Sequence, residues 1–579
     1  MSLTSVDPFA QLRDRVLAAV RAAFPDVEAP DAALHRSVHA DYQSDVALAL
    51  ARRLGKPARE VATAVVQHLT PDDLIASVAV SGPGFLNITL TNTFLDQALT
   101  QMLADERLGV PLASPKIKVV VDYSGPNVAK EMHVGHIRST IIGDALARLL
   151  EWQGHEVIRQ NHIGDWGTPF GMLIEHLMDA HASGGESNLR ELVAFYQAAR
   201  AKFDSEPAFA DRARHRVVLL QGGDAQTLAL WRRVVEVSIE HMDTLYRRLG
   251  VTLGPAHVAG ESMYNADLPT VVAELLEKGL ARESEGAICV FPPGFTGREG
   301  EPVPLILRKQ DGGYGYATTD LAAVRHRVSR LGATRLIYVV GAPQAQHLAM
   351  VFAVARLAGW ATPEVRLEHV AFGSVLGPDK KMFKTRAGET VRLASLLDEA
   401  CERAARTVEE KARDMDAATM RAIADAVGIG AIKYADLSND RVKDYVFDWN
   451  RMLAFEGNTA PYLMYAHARL CSIARKAGAD GAGAALGTLN IVAPAERALA
   501  LELVQLPATI ERAGEGLHPH RLCQQLYDVA QVLTRFYEDC PVLTSEGPVR
   551  GARLALCAVT AKVLSRGLGL LGIAAPLRM

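Results

Sequence analysis

The stretch I117-K-V-V-V-D-Y123 restricts the fold more than any other part of the chain. It is short, β-branched and almost wholly apolar, the pattern of a parallel strand buried on both faces. Ile137, Ile141, Ala145, Leu146, Leu149 and Leu150 then recur every three to four residues until Gly154, which predicts a helix and its stop. The alternation returns downstream: E156-V-I-R-Q160 leads to Gly164, L336-I-Y-V-V-G341 leads to a helix over 347–357, and V370-A-F-G-S-V-L376 follows as a further strand. Strand and helix in turn predict an α/β fold, a doubly wound parallel sheet, over residues 113–400. Residues 186–250 interrupt it with helical periodicity and no strand, which predicts a helical insertion.

Between the first strand and its helix lies H133-V-G-H136. Ligands of doubly wound sheets bind outside the carboxyl ends of strands, and a helix start offers free N–H groups and partial positive charge to an anion. Gly135 lacks a Cβ, so a flat ring or phosphate can approach the backbone. Three readings compete: two histidines packed about a turn, a zinc site, and a nucleotide site. Zinc calls for further ligands at regular spacing, and neither a third His nor a C-x2-C follows nearby. The nucleotide reading makes the imidazoles hydrogen-bond donors to a phosphate whose charge changes during reaction.

With 579 residues, the chain has room for three or four domains of about 150 residues each. Residues 1–20 contain Asp7, Arg13, Asp14 and Arg15, unlike a signal peptide, and no uncharged apolar run is long enough to span a membrane. A soluble, cytoplasmic chain is expected. Six scattered cysteines show no metal or redox spacing, as for buried reduced thiols. The net charge of −4 gives no hint of nucleic acid, although residues 441–579 hold 15 Lys and Arg against 12 Asp and Glu.

Asp7-Pro8 starts a helix with Phe9, Leu12, Val16, Val20 and Phe24 on one face. Helices over 43–54 and 57–69 precede V78-A-V-S-G-P-G-F-L-N-I-T-L90, which alternates on both sides of a turn like a hairpin. Residues 1–112 thus read as a small α+β domain. After Val391 nearly everything is helical except the Gly/Ala-rich 478–487, which predicts a C-terminal α-helical bundle over 401–579.

A second phosphate signal is G377-P-D-K-K-M-F-K-T-R-A-G388, a small, polar, cationic loop in which Lys381 and Lys384 can reach polyphosphate. Alone, such a loop is an ordinary solvated surface; paired with H133-V-G-H136 it gains meaning. The two stretches resemble the signatures of class I aminoacyl-tRNA synthetases. D122-Y-S-G-P-N-V-A-K130, G164-D-W-G167, F383-K-T-R-A-G-E-T-V-R-L393 and F455-E-G-N-T-A-P-Y-L-M-Y-A-H-A-R469 resemble the arginyl-tRNA synthetase family, over nearly the whole chain. Pro169 departs from the pattern, where the family usually has Gln.

The resemblance implies a Rossmann-type catalytic domain. Its reaction joins arginine and Mg-ATP into arginyl-adenylate, then passes the arginyl group to the terminal adenosine of arginine tRNA. His133, Gly135 and His136 would serve the α-phosphate and adenine, Lys381 and Lys384 the leaving pyrophosphate, and His347 the ATP site. By the family's motifs, Tyr316 and Asp320 face the guanidinium, Asn127, Glu261 and Gln344 the other end of arginine, and Asp122 is a further arginine-binding residue. Within 401–579, an anticodon-binding bundle is expected over 446–579, with Tyr462, Tyr465, His467 and Arg469 offering stacking faces and cations to unpaired bases. By spacing alone, Tyr462 and Tyr465, at i and i+3, fit core positions equally well. A monomer without structural zinc or hydrolytic editing domain is expected. The rivals are a tRNA-independent adenylating enzyme of the same superfamily and a non-catalytic tRNA-binding relative.

Overall fold

The computed structural model describes residues 5–27, 31–182, 192–383, 391–411, 415–478 and 487–579. At the N-terminus, α1 (Pro8–Ala23) is capped by Asp7, whose carboxylate accepts the Phe9 and Ala10 amides. β1 (Leu34–Arg36), β2 (Tyr42–Ser44), α2 (Val46–Leu54), α3 (Ala58–Val66), β3 (Ile75–Ser81), β4 (Phe85–Leu90) and α4 (Asn92–Ala104) follow. The strands form an antiparallel sheet in the order β1-β2-β4-β3, and β3 and β4 are the expected hairpin. The helix expected from 43 starts only at Val46, because Tyr42–Ser44 pairs with β4.

The central sheet is built from β5 (Lys118–Asp122) and β6 (Glu156–Gln160), separated by α5 (Val134–Trp152). Next come α6 (Pro169–Ala182) and the inserted helices α7 (Leu192–Ser205), α8 (Pro207–Gln221) and α9 (Ala225–Leu249). Helix α10 (Leu268–Glu277) leads to β7 (Ala281–Ser284), β8 (Ala287–Val290) and β9 (Leu305–Arg308), a small antiparallel sheet that the sequence did not suggest. Then α11 (Tyr316–Ser329), β10 (Arg335–Tyr338), α12 (Ala345–Leu357) and β11 (Arg366–His369) close the domain. The order is β11-β10-β5-β6, all parallel. Val119 and Val121 join one apolar core with the α5 residues Ile137 and Ile141, while Val120 joins a second with Leu321, Val351 and Val354. Burial on both faces is why β5 reads as an unbroken apolar run.

One expected strand is misplaced. The ladder strand is Arg366–His369, not V370-A-F-G-S-V-L376, of which only β12 (Val375–Leu376) is extended, paired with β13 (Tyr445–Val446). Arg366 and Glu368 are tolerated there because they pair with each other and with Arg335 and Glu515, whereas Val370 and Phe372 are buried without entering a ladder.

The rest is helical: α13 (Leu393–Lys411), α14 (Ala417–Leu437), α15 (Trp449–Met452), α16 (Ala460–Lys476), α17 (Pro494–Leu503), α18 (Leu506–Glu515), α19 (His520–Asp539) and α20 (Gly547–Leu570). Most of the Gly/Ala-rich stretch at 478–487 lies outside the described residues. Arg497 bonds Asp41, and Asn92 bonds the Ile491 carbonyl, so the N-terminal sheet docks on this bundle. No helix among the described residues is long and apolar enough to cross a membrane.

Candidate active site

Helix α5 begins at the carboxyl end of β5 with His133 as its cap. The His133 ring accepts the Gly135 amide on Nδ1 at 3.1 Å, and the His133 amide donates to Nδ1 of His136 at 3.2 Å. With both Nδ1 atoms acting as acceptors, each neutral ring carries its proton on Nε2. Burial, helped by the neighbouring His133, pushes His136 down to about 4, so it is a neutral donor at physiological pH. A Cβ on Gly135 would lie 2.8 Å from the His133 ring. Glycine there is what allows the cap to form, in addition to leaving the backbone open.

Beside this helix start is a cavity of about 600 Å³. It is lined by Asp122, Asn127, Gly135, Glu261, Tyr316, Asp320, Gln344 and His347, residues drawn from five separate stretches of chain. Their environments differ. The fully buried Arg327 donates to Oδ2 of Asp122 at 2.8 Å and to Gln160 at 2.6 Å. That carboxylate is already neutralised from behind. Asp320 lies 2.6 Å from Nε2 of His347, whose ring packs on Tyr316 with centroids 4.8 Å apart. Among the described residues Glu261 has no such partner, and burial, then the charges of Asp165 and Asp320, push its carboxyl up to about 7. The wall formed by Glu261 and Asp320 thus holds negative charge that a bound cation would relieve.

Local chemistry explains how Glu261 reaches the cavity. Asp165 accepts the Ser262 amide at 2.8 Å and its hydroxyl at 2.6 Å, holding G260-E-S262 against G164-D-W-G167. A Cβ on Gly260 would sit 2.4 Å from Asp165, so only glycine permits this approach. The insertion supports the same region: the Trp231 indole of α9 donates to the Asp165 carbonyl at 2.8 Å, and the Tyr246 hydroxyl meets Ser124 at 2.7 Å and Asn161 at 3.0 Å.

The structure does not bring every expected residue to the cavity. His347, expected with ATP, is bonded to Asp320, expected with arginine, so the two subsites meet at that pair. His133 and His136 stand at its edge rather than in its lining. Lys381 is exposed on a tight turn, its carbonyl accepting the Gly377 amide at 2.7 Å, and Lys384 lies outside the described residues. The turn is anchored by Phe383 stacking on Phe447. Pro169 begins α6, where a missing N–H costs nothing. Arg327, Asp165, Ser139 and His162 were not singled out by sequence; of these only Asp165, inside the quoted G164-D-W-G167, carried a signal.

On α16, Tyr462 is half-buried and donates to the Ala530 carbonyl at 3.2 Å, and His467 is buried with Nδ1 3.0 Å from the Pro576 carbonyl. Both are packing residues of the bundle. Tyr465 and Arg469 share an exposed face, with the Arg469 guanidinium 4.2 Å from the Tyr537 ring centre.

Residues 98–449 match the family model described as tRNA synthetases class I (R), catalytic domain, which makes the cavity part of a class I aminoacyl-tRNA synthetase core. Residues 10–90 match the arginyl tRNA synthetase N terminal domain and residues 463–579 the DALR anticodon binding domain. The chain is 56% identical over 577 residues to the arginine–tRNA ligase of Thermobifida fusca, covering 99% of this chain and 100% of that one. It is 51% identical to that of Frankia casuarinae, over 98% of each. Among solved structures, arginyl-tRNA synthetase from Plasmodium falciparum superposes with a TM-score of 0.85 at 28% identity over 100% of both chains. The Thermus thermophilus arginyl-tRNA synthetase gives 0.82 at 27% identity, over 98% of this chain and 100% of that one. The chain belongs to the arginyl-tRNA synthetase family.

Proposed function

We propose that this chain is an arginine–tRNA ligase in which the Glu261–Asp320 wall holds the cationic amino acid and the capped start of α5 holds the phosphate it attacks. A surplus of carboxylate beside a helix N-terminus is the observation that carries this reading. The guanidinium lies against Asp320 and Tyr316, and Asn127, Glu261 and Gln344 take the amino and carboxylate end. The arginine carboxylate attacks the α-phosphate of Mg-ATP, a P–O bond forms as the bond to pyrophosphate breaks, and Nε2–H of His136 and His133 donate to the phosphate oxygens as their charge grows. Lys381 and Lys384 accompany the pyrophosphate. A hydroxyl of the tRNA's terminal adenosine then attacks the adenylate carbonyl and AMP leaves. Protein side chains supply position and charge, and no covalent nucleophile.

The same reading assigns residues 1–112 to the outer bend of the tRNA, 113–400 to catalysis, with the insertion at 186–250, and 401–579 to its stem and anticodon, in a cytoplasmic monomer. Bound tRNA completes the arginine pocket, a form of induced fit. The test is ATP–pyrophosphate exchange with each amino acid, with and without tRNA. Exchange is expected with arginine alone, near background until arginine tRNA is added. Exchange with a different amino acid and none with arginine overturns the assignment. Strong exchange without any tRNA favours a tRNA-independent adenylating mechanism.

A further inference from the structure

Away from the catalytic cavity, Asp440, His518 and His520 each place one ligand atom within 4.8 Å of the others. Asp440 follows α14, and its Oδ1 accepts the Val442 amide at 3.3 Å. The two histidines flank Pro519 in the turn between α18 and α19, where Leu517 adopts a φ of 56°. Nδ1 of both rings is buried without a hydrogen-bond partner among the described residues. Buried polar atoms normally find partners, and orphans on two adjacent rings call for an explanation.

We propose that Asp440, His518 and His520 form a binding site for a zinc-like divalent metal at the seam between the catalytic domain and the helical bundle. Two imidazoles and a carboxylate suit a borderline cation, whereas calcium and magnesium take oxygen ligands. Three protein ligands leave a fourth position for water. In a tetrahedral zinc centre with bonds of ~2.0–2.1 Å, donors stand roughly 3.3 Å apart. The side chains therefore need to draw together by no more than about 1.5 Å. Arg441, Lys443 and Arg521 surround the site and oppose a dication, so its affinity falls below that of a four-ligand structural site.

The seam gives the site a consequence. Arg441 donates to the Leu517 carbonyl at 3.0 Å on the bundle side and to the Ala371 carbonyl at 3.1 Å on the catalytic side. The Ser374 amide donates to Asp444, and β13 pairs with β12, which runs directly into the turn bearing Lys381. A metal joining Asp440 to the start of α19 would clamp the base of that turn to the bundle. No spacing rule connects Asp440 to histidines so far along the chain, so the sequence carried no metal signal.

The test uses the full-length chain, free of any histidine tag, titrated with Co²⁺ while visible absorption reports the coordination sphere. One saturable equivalent with a nitrogen–oxygen spectrum is expected, displaced by Zn²⁺. His518→Ala and His520→Ala should each weaken binding by roughly tenfold or more. The near-isosteric Asp440→Asn, which keeps the fold, should weaken it as well, and metal-free variants should melt with the parent. Added zinc should raise the melting temperature of the parent and leave that of the His518→Ala/His520→Ala double variant unchanged. No saturable binding, binding that survives the double variant, or a thiolate charge-transfer band pointing to one of the free cysteines would each overturn the proposal.

Discussion

On the floor of the cavity, Asp122 is 8% exposed and bonded to the buried Arg327; on its wall, Glu261 and Asp320 share one space with no arginine behind them among the described residues. The residue types are nearly the same, and all three line one cavity. What differs is who supplies the counter-charge. The floor is closed by the protein's own guanidinium, so Asp122 works as part of the frame. The wall's charge meets only His347, at Asp320, among the described residues, and the cost of crowding shows in the raised pKa of Glu261. A carboxylate lining a cavity is therefore a structural group or a binding group according to what lies behind it, and the two kinds should fail differently when altered.

The largest effect should come from the floor. Asp122→Asn leaves the charge of Arg327 buried and unopposed, and should lower unfolding free energy by about 3 kcal/mol or more in denaturant titrations. A variant as stable as the parent would mean that Arg327 is not the group holding Asp122.

The wall should respond in binding instead. Asp320→Asn is expected to raise the Michaelis constant for arginine by about 10²-fold with little change for ATP or in melting temperature. If the ATP constant moves instead, Asp320 and its partner His347 belong to the nucleotide, and the contrast with Asp122 must be redrawn.

A titration gives a finer cut. Glu261, held up to about 7, is protonated below that pH and loses its attraction for a cation. Affinity gained from its charge is present above pH 7 and disappears as pH falls through it. The Michaelis constant for arginine should thus rise roughly tenfold between about pH 8 and about pH 6. Glu261→Gln should flatten that profile at its weak-binding end; a profile identical to the parent's would assign the titration to another group.

The smallest effect belongs to the outer face of α16, where Arg469 already rests on Tyr537 and contacts are exposed. Replacing Tyr465 and Arg469 together by Ala should raise the Michaelis constant for tRNA by roughly threefold, leaving arginine untouched, as expected of peripheral contacts. A loss comparable with that at Asp320 would make this face a principal RNA contact.

Part of this molecule was legible from sequence alone. Strand β5 appears almost to the residue, because a strand buried on both faces leaves a continuous apolar signature and its helix a 3.6-residue rhythm; β6, a half-exposed edge strand, was readable from the strand-helix alternation that follows it. The histidine pair at a strand-to-helix junction, and the family resemblance around it, were readable for the same reason: both are local. Short strands with charged residues, such as Arg366–His369 and Ala281–Ser284, were missed, since their stability comes from partners elsewhere and leaves no period in their own letters.

Tertiary structure alone decided how the named residues are used. Asp122 is neutralised by an arginine 205 positions away, Asp165 holds Ser262 across 97 positions, and His347 meets Asp320 across 27. None of these pairings has a spacing rule, because folding brings the partners together through sheet order and helix docking. Periodicity records which face of an element is dry, so sequence determined the layers. Charge compensation depends on which elements meet, so only the assembled fold could say which carboxylate is paired with an arginine of the frame and which faces the cavity.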